Sequence, residues 1–269
     1  MIHSNTILTT NIIDALENVI AAYPAEAIFL LTDTNTRERC LPLMLQSEKL
    51  KNSKTITIEA GDNNKGIASL TQIWQFLSEN GATRKSLLIN IGGGMITDIG
   101  GFAAATFKRG IEYINVSTTL LGAVDAATGG KTGINFLGYK NEIGAFVPAK
   151  QVLIDVNFFK TLDNKNLRSG YAEMIKHALI YTKEDWAETL KFDLEEMNFE
   201  KLRLLLQRNI NIKEDIVAQD PKENGIRKAL NFGHTIGHAI ETLSYRVNRP
   251  LLHGYAIAYG MVAETYLSV

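Results

Sequence analysis

The stretch SLLINIGGGMITDIGGF, residues 86–102, decides how this chain folds. Its opening run is apolar but for Ser86 and Asn90, close to the pattern of a strand buried on both faces of a parallel sheet. Three glycines follow, Gly92, Gly93 and Gly94, and then a helical segment. Without side chains the turn lets a pyrophosphate approach the backbone, while the helix that follows offers its unpaired N–H groups to the anion. A dinucleotide is the natural guest of such a turn. The match to G-x-G-x-x-G is incomplete, because Thr97 stands where the third glycine belongs. The acidic residue that would hold a ribose is either Glu112, about twenty positions on, or Asp33, at the carboxyl end of AIFLLTD.

The same alternation extends outward. AIFLLTD, TITIEAG, SLLINIG, IEYINVS and QVLIDVN read as strands, with helical segments such as ASLTQIWQFLSEN between them. This predicts a Rossmann-like α/β domain over residues 1–162, with ligands outside the carboxyl ends of its strands. From about Leu167 apolar residues recur at three- and four-residue spacing in RSGYAEMIKHALIY, FEKLRLLLQRNINIKEDIVAQ, RKALNFGHTIGHAIETL and HGYAIAYGMVAETYL. Residues 163–269 therefore read as an all-α domain.

Composition narrows the function. At 269 residues and 45% hydrophobic content the chain can bury a large core, and its net charge of −1 provides no global field to recruit nucleic acid or an anionic membrane. The N-terminus lacks a basic region before its apolar residues, and no uncharged run reaches the roughly 18 residues of a membrane span, so a cytoplasmic protein is expected. Cys40 is the sole cysteine, which excludes an internal disulfide and a cysteine-based metal site.

Chemistry-bearing residues gather in three further places. VDAATGGKTGINFLGYKNEIG sets Asp125, Lys131, Lys140 and Asn141 around Gly129 and Gly130, and reads either as a loop cradle for an anion or as an ordinary solvated loop. In SGYAEMIKHAL, Glu173 shares a helical face with Lys176 and His177; a surface ion pair, a hard oxygen ligand, or a Glu173–His177 metal pair all fit. In NFGHTIGHAIE, His234 and His238 lie four apart and can reach one metal, but the segment is not H-E-x-x-H and excludes that metalloprotease pattern. Periodicity alone does not sort the histidines after His3 into ligands and others.

GGGMITDIGGFAAATFKRG, STTLLGAVDAATGGKTGINF, GYKNEIGAF, GYAEMIKHALI, NFGHTIGHAIE and HGYAIAYGM, in this order, resemble the motif series of the 3-dehydroquinate synthase family, the shikimate-pathway cyclases of aromatic amino acid biosynthesis. The resemblance implies an NAD-binding first domain and a helical domain carrying one divalent metal, zinc or cobalt. It also implies a phosphorylated seven-carbon sugar acid, 3-deoxy-D-arabino-heptulosonate 7-phosphate, as substrate, and a homodimer. Carried over residue by residue, it makes Glu173, His234 and His253 the metal ligands. His238, Lys131 and Asn141 then face the substrate phosphate, with Arg109 reaching it from the partner subunit. Lys213 and Arg227 would hold the carboxylate, and Asp125, Lys176 and Asn231 the ring hydroxyls. NAD would lie on Gly92 to Gly94, Asp98, Thr118 and Thr119, with Asp33, Asn35 and Lys65 at the adenosine end, Asp62 at a ribose, Lys140 toward the nicotinamide, and Asp125 and Lys131 as further cofactor contacts.

Two departures from the family pattern carry expectations. Asp62 replaces a usual glutamate, one methylene longer, and the chain stops at LSV before the family's usual length. The helical domain is accordingly expected to be incomplete, with Ile257, Met261 and Tyr266 at an exposed rim, and the chain to bind NAD while turning over slowly or not at all. Other sugar-phosphate cyclases, a glycerol dehydrogenase-type polyol dehydrogenase and an inactive fragment are the competing readings.

Overall fold

The computed structural model describes residues 5–268; the last residue of LSV lies outside them. By contacts the described chain forms two compact units, residues 5–118 with 126–161, and residues 119–125 with 162–268.

The first unit is built on a six-stranded parallel sheet in the order β1-β8-β5-β4-β2-β3. These strands are β1 (Thr6–Thr9), β2 (Ile28–Asp33), β3 (Lys54–Ile58), β4 (Leu87–Gly92), β5 (Glu112–Ser117) and β8 (Gln151–Asp155). Every residue of β2 and β4 is buried, as their largely apolar runs predict, Asn90 of β4 donating to Asn115 (2.9 Å). Helices α1 (Ile12–Ile20), α2 (Thr34–Arg39), α3 (Leu41–Met44), α4 (Ile67–Glu79) and α5 (Gly94–Thr106) connect the strands. The chain leaves β2 toward β3 on one side and β4 toward β5 on the other. The reversal opens a crevice beyond Asp33 and Gly92, where open α/β sheets bind ligands. Glu112, by contrast, opens β5 at its amino end and is bonded to Tyr23 and Lys150 (2.5 and 2.9 Å), so of the two acidic candidates only Asp33 stands at the ligand end.

The segment read as a glycine loop is a correction. After a π-helical turn, Gly122–Ala126, it forms an antiparallel hairpin of β6 (Lys131–Phe136) and β7 (Tyr139–Phe146). Leu137 and Gly138, both with positive φ (49° and 84°), make the two-residue turn that such a hairpin favours.

The second unit is helical: α6 (Asn164–Leu179), α7 (Lys183–Leu190), α8 (Phe199–Gln219), α9 (His234–Arg246) and α10 (His253–Leu267). The segment read as one helix through RKALNFGHTIGHAIETL is broken at Gly233, whose φ of 80° belongs to the left-handed region. Glycine also sets how closely α10 packs. A Cβ on Gly237 would meet Ile257 at 2.9 Å and one on Gly233 would meet Met261 at 2.6 Å. Ile257 and Met261 are for that reason buried, contrary to the expected exposed rim. Tyr266 is exposed as expected, and Tyr259, Val262 and Leu267 are exposed with it.

Candidate metal centre and dinucleotide turn

In the first unit, Gly92 ends β4, Gly93 caps α5 and Gly94 begins it. No side chain caps this helix, so its leading N–H groups are left for another partner, which fits a bound pyrophosphate. The glycines also have an internal reason: a Cβ on Gly92 would meet Ile96 at 2.5 Å and one on Gly94 would meet Ala126 at 2.9 Å. The close helix–strand packing that Thr97 cannot supply is provided one turn later, where Gly100 lies against the side chain of Asn90. Thr118 donates its N–H to Gly92 O (3.0 Å), and Asp33 accepts from Thr36 N–H (2.8 Å) as the cap of α2, with Asn35 exposed in that helix's first turn.

Lys65 is the hub beside this turn. Its buried ammonium donates to Asp98 (3.0 Å) and Asn141 (2.6 Å) and stands 3.6 Å from Asp62. Lys140 pairs with Asp62 at 3.1 Å. Asn135, which the sequence reading passed over, fastens the hairpin here: it donates to Asp62 (3.1 Å), and its side-chain oxygen accepts from Asn141 N–H (3.0 Å). Burial alone would raise the Asp62 carboxyl, but the Lys65 and Lys140 charges outweigh it and hold it low. Lys131 lies at the other end of the hairpin, opposite Phe146, about 13 Å along the strand from the level of Asn141. Arg109 is exposed in the turn after α5.

The second unit concentrates its charge inside. Glu173 is fully buried, and neither carboxylate oxygen has a hydrogen-bond partner in good geometry, although Lys176 forms an ion pair with Oε2. On its other side, His253 Nε2 stands 3.4 Å and His234 Nε2 3.8 Å from Oε1. The outer ring nitrogens are already engaged, His234 Nδ1 with Phe232 O (3.3 Å) and His253 Nδ1 with the buried carboxylate of Glu241 (3.3 Å). One carboxylate oxygen and two Nε2 atoms therefore converge, with the rings oriented from behind as in carboxylate–histidine metal sites. The donor atoms of Glu173, His234 and His253 lie within 4.8 Å of one another, a set that suits a divalent ion with open positions for further ligands.

Two other trios among the described residues meet the same criterion, and their surroundings weigh against both. In Asp125–Glu173–His177 two ammonium groups already stand on the carboxylates, Lys213 on Asp125 (2.5 Å) and Lys176 on Glu173. In His238–Glu241–His253 the nitrogen offered by His253 is the one that faces Glu241, on the far side of its ring from Glu173. His238 completes a triangle of imidazoles, with centroids 5.3 to 5.6 Å apart, but its Nδ1 faces Glu241 at 3.5 Å. Glu241 is the residue the sequence reading missed, and the i,i+3 pair in HAIE was its available signal.

The charges act on each other strongly. Burial would raise Glu173, but Lys176 and then His253 outweigh it and hold the carboxyl well below the usual range. Burial, reinforced by Lys176, pushes His177 down to about 3 and His234 to about 4. Burial works the same way on His253, yet the Glu173 and Glu241 carboxylates on either side of it raise it to about 9. Glu173 with Lys176 is thus not a surface pair. Lys213 grips Asp125 through carboxylate and carbonyl alike, while Arg227 donates to Pro221 O (2.6 Å) and lies 3.8 Å from Glu223, which accepts from Asn231 (2.6 Å). Thr119 accepts from Gly122 N–H (3.0 Å) at the start of the π-turn that carries Asp125.

A parallel α/β unit followed by a helical unit with a Glu–His–His cluster defines the dehydroquinate synthase-like fold. Solved structures share it: a 2-epi-5-epi-valiolone synthase from Streptomyces hygroscopicus subsp. jinggangensis 5008, with NAD+ and Zn2+ bound, matches with TM-score 0.83 and 24% identity over 97% of this chain and 73% of that one. A 2-deoxy-scyllo-inosose synthase complexed with carbaglucose-6-phosphate, NAD+ and Co2+ matches with TM-score 0.84 and 23% identity over 96% of this chain and 71% of that one. Residues 55–169 match the 3-dehydroquinate synthase N-terminal family model and residues 170–269 the 3-dehydroquinate synthase C-terminal model. A 3-dehydroquinate synthase of Parabacteroides distasonis is 53% identical over 100% of this chain and 76% of its own length. The chain belongs to the 3-dehydroquinate synthase family, a family of enzymes. No helix among the described residues is long and apolar enough to cross a membrane.

Proposed function

We propose that the protein is a carbon–oxygen lyase that converts 3-deoxy-D-arabino-heptulosonate 7-phosphate to 3-dehydroquinate and phosphate. The observation that carries this reading is the buried Glu173 carboxylate facing two oriented imidazoles in a chain 53% identical to a 3-dehydroquinate synthase. Glu173, His234 and His253 would hold one divalent ion, zinc or cobalt, and the uncapped Gly92–Gly94 turn would hold the NAD pyrophosphate. The NAD+ with Zn2+ or Co2+ in the related cyclases supports both assignments. When bound, the cofactor supplies a reversible hydride acceptor and the metal a Lewis acid for a hydroxyl-bearing carbon.

The chain's own residues do the binding and the charge compensation. His238, Lys131 and Asn141, with the partner subunit's Arg109, would neutralise the phosphate in a homodimer. Lys213 and Arg227 would take the carboxylate, the former sharing its ammonium with Asp125, while Lys176 and Asn231 would address ring hydroxyls. Asp33, Asn35, Asp62, Lys65, Asp98, Thr118, Thr119 and Lys140 remain the proposed dinucleotide contacts. A substrate that carries both a phosphate and a carboxylate, in a protein of net charge −1, requires such a local concentration of cations.

Phosphate release from the heptulosonate phosphate, measured with NAD and zinc or cobalt present, should occur without net NADH formation. Accumulating NADH without phosphate release would instead indicate a polyol dehydrogenase, and no phosphate release would overturn the proposal.

A further inference from the structure

His177 is fully buried on α6, one turn beyond Glu173, yet neither of its ring nitrogens has a hydrogen-bond partner in the structure. Burying a polar ring in this way costs its full desolvation, and an apolar ring of the same shape would avoid that cost. Such an orphan calls for a ligand that completes it.

Its nearest acid identifies the ligand. His177 Nε2 is 4.0 Å from Asp125 Oδ1, too far for a direct hydrogen bond but suited to one oxygen atom bonded to each at about 2.8 Å. Asp125 is fixed in place, since Lys213 holds both its carboxylate and its carbonyl in the π-turn Gly122–Ala126. The uncharged imidazole donates one N–H, whereas the carboxylate can only accept. With that N–H on Nε2, the nitrogen that faces Asp125, a group that satisfies both must accept from the ring and donate to the acid. An ammonium cannot accept and an ionised carboxylate or phosphate oxygen cannot donate, which leaves an O–H group, a sugar hydroxyl or the water that such a hydroxyl would displace.

We propose that His177 contacts the substrate directly, forming with Asp125 a donor–acceptor pair that takes one hydroxyl of a polyhydroxylated sugar acid. This rests on the function proposed above, and names a residue that function does not use.

The test uses the full chain loaded with NAD and zinc, titrated calorimetrically with the heptulosonate phosphate, in the wild type, His177→Phe and His177→Gln. His177→Phe should melt no lower than wild type and keep its zinc, yet bind the sugar phosphate about tenfold more weakly. His177→Gln, which restores an N–H donor, should recover part of that affinity, and inorganic phosphate should bind all three proteins equally. Unchanged substrate affinity in His177→Phe would overturn the proposal. So would a lowered melting temperature with lost zinc, which would make His177 a structural residue. Wild type that binds the sugar phosphate without releasing phosphate would defeat the proposed reaction alone, because the affinity comparison still decides the pair; wild type that does not bind it would defeat both.

Discussion

Two lysine–carboxylate pairs, one in each unit, show how differently the units are built. Lys140 and Asp62 meet at 3.1 Å with both side chains about a quarter exposed, in the unit whose glycine turn presents uncapped backbone N–H groups. Lys176 and Glu173 meet with side chains 1% and 0% exposed, among groups that have no other partner in good geometry. The first unit offers main-chain N–H groups that no side chain caps. The second holds charge and unpaired polar atoms in its interior, which the proposed metal and substrate would complete.

The contrast breaks first at the metal. His234→Ala and His253→Ala should lose the ion, while His238→Ala should keep it and lose phosphate affinity; equal loss in all three, by elemental analysis, would erase the distinction drawn between them. Next, Lys176→Met leaves the buried Glu173 with His253 as its remaining charge partner, and should destabilise the metal-free protein by up to about 3–5 kcal/mol. Chelator-treated protein in urea would measure this, and added zinc should return part of the loss by replacing the missing positive charge. Glu241→Gln should lower metal affinity by about 10–100-fold, since it removes the charge behind His253; competition with a chelating dye reads that ratio.

The pH dependence is a smaller effect. His253, raised to about 9, carries a proton at pH 7 in the metal-free protein, where it lies between Glu173 and Glu241. A group whose folded pKa is raised stabilises fully below its unfolded value of 6.5, and its contribution is lost as pH climbs through about 9. Metal must displace that proton, so binding at pH 7 should release it and affinity should rise toward pH 9, while His234, already neutral, adds nothing. Calorimetry in buffers of different ionisation enthalpy would sharpen this, and a flat affinity would count against it. Smallest of all, Lys140→Ala should change stability by no more than about 1 kcal/mol in urea unfolding, as a half-solvated pair implies.

The α/β half was legible because its signal is local. Four buried strands declare themselves as largely apolar runs and the edge strand β3 as a β-branched one, and the glycine turn follows β4 as the pattern requires; β1, only four residues long, and the hairpin do not stand out. In the hairpin, charged and polar residues interrupt the strand pattern, so LysThrGlyIleAsn and its partner read as a loop. The histidines were legible only as candidates, since a four-residue spacing says that two rings share a face and not which nitrogen each ring turns inward.

By itself the sequence determined the order of α/β and helical parts, the family motifs, and which side chains could bind metal or anion, because each depends on residue type and spacing along the chain. Tertiary structure decided the rest. It buried Glu173, Lys176 and His177 together, drew residues 119–125 into the helical unit and brought Asp125 to Lys213, 88 positions away. It also set Glu241 behind His253 and let glycines bring α10 against α9, covering Ile257 and Met261. The reason is physical: burial and the orientation of a ring are properties of what packs around a residue, and those neighbours come from distant parts of the chain.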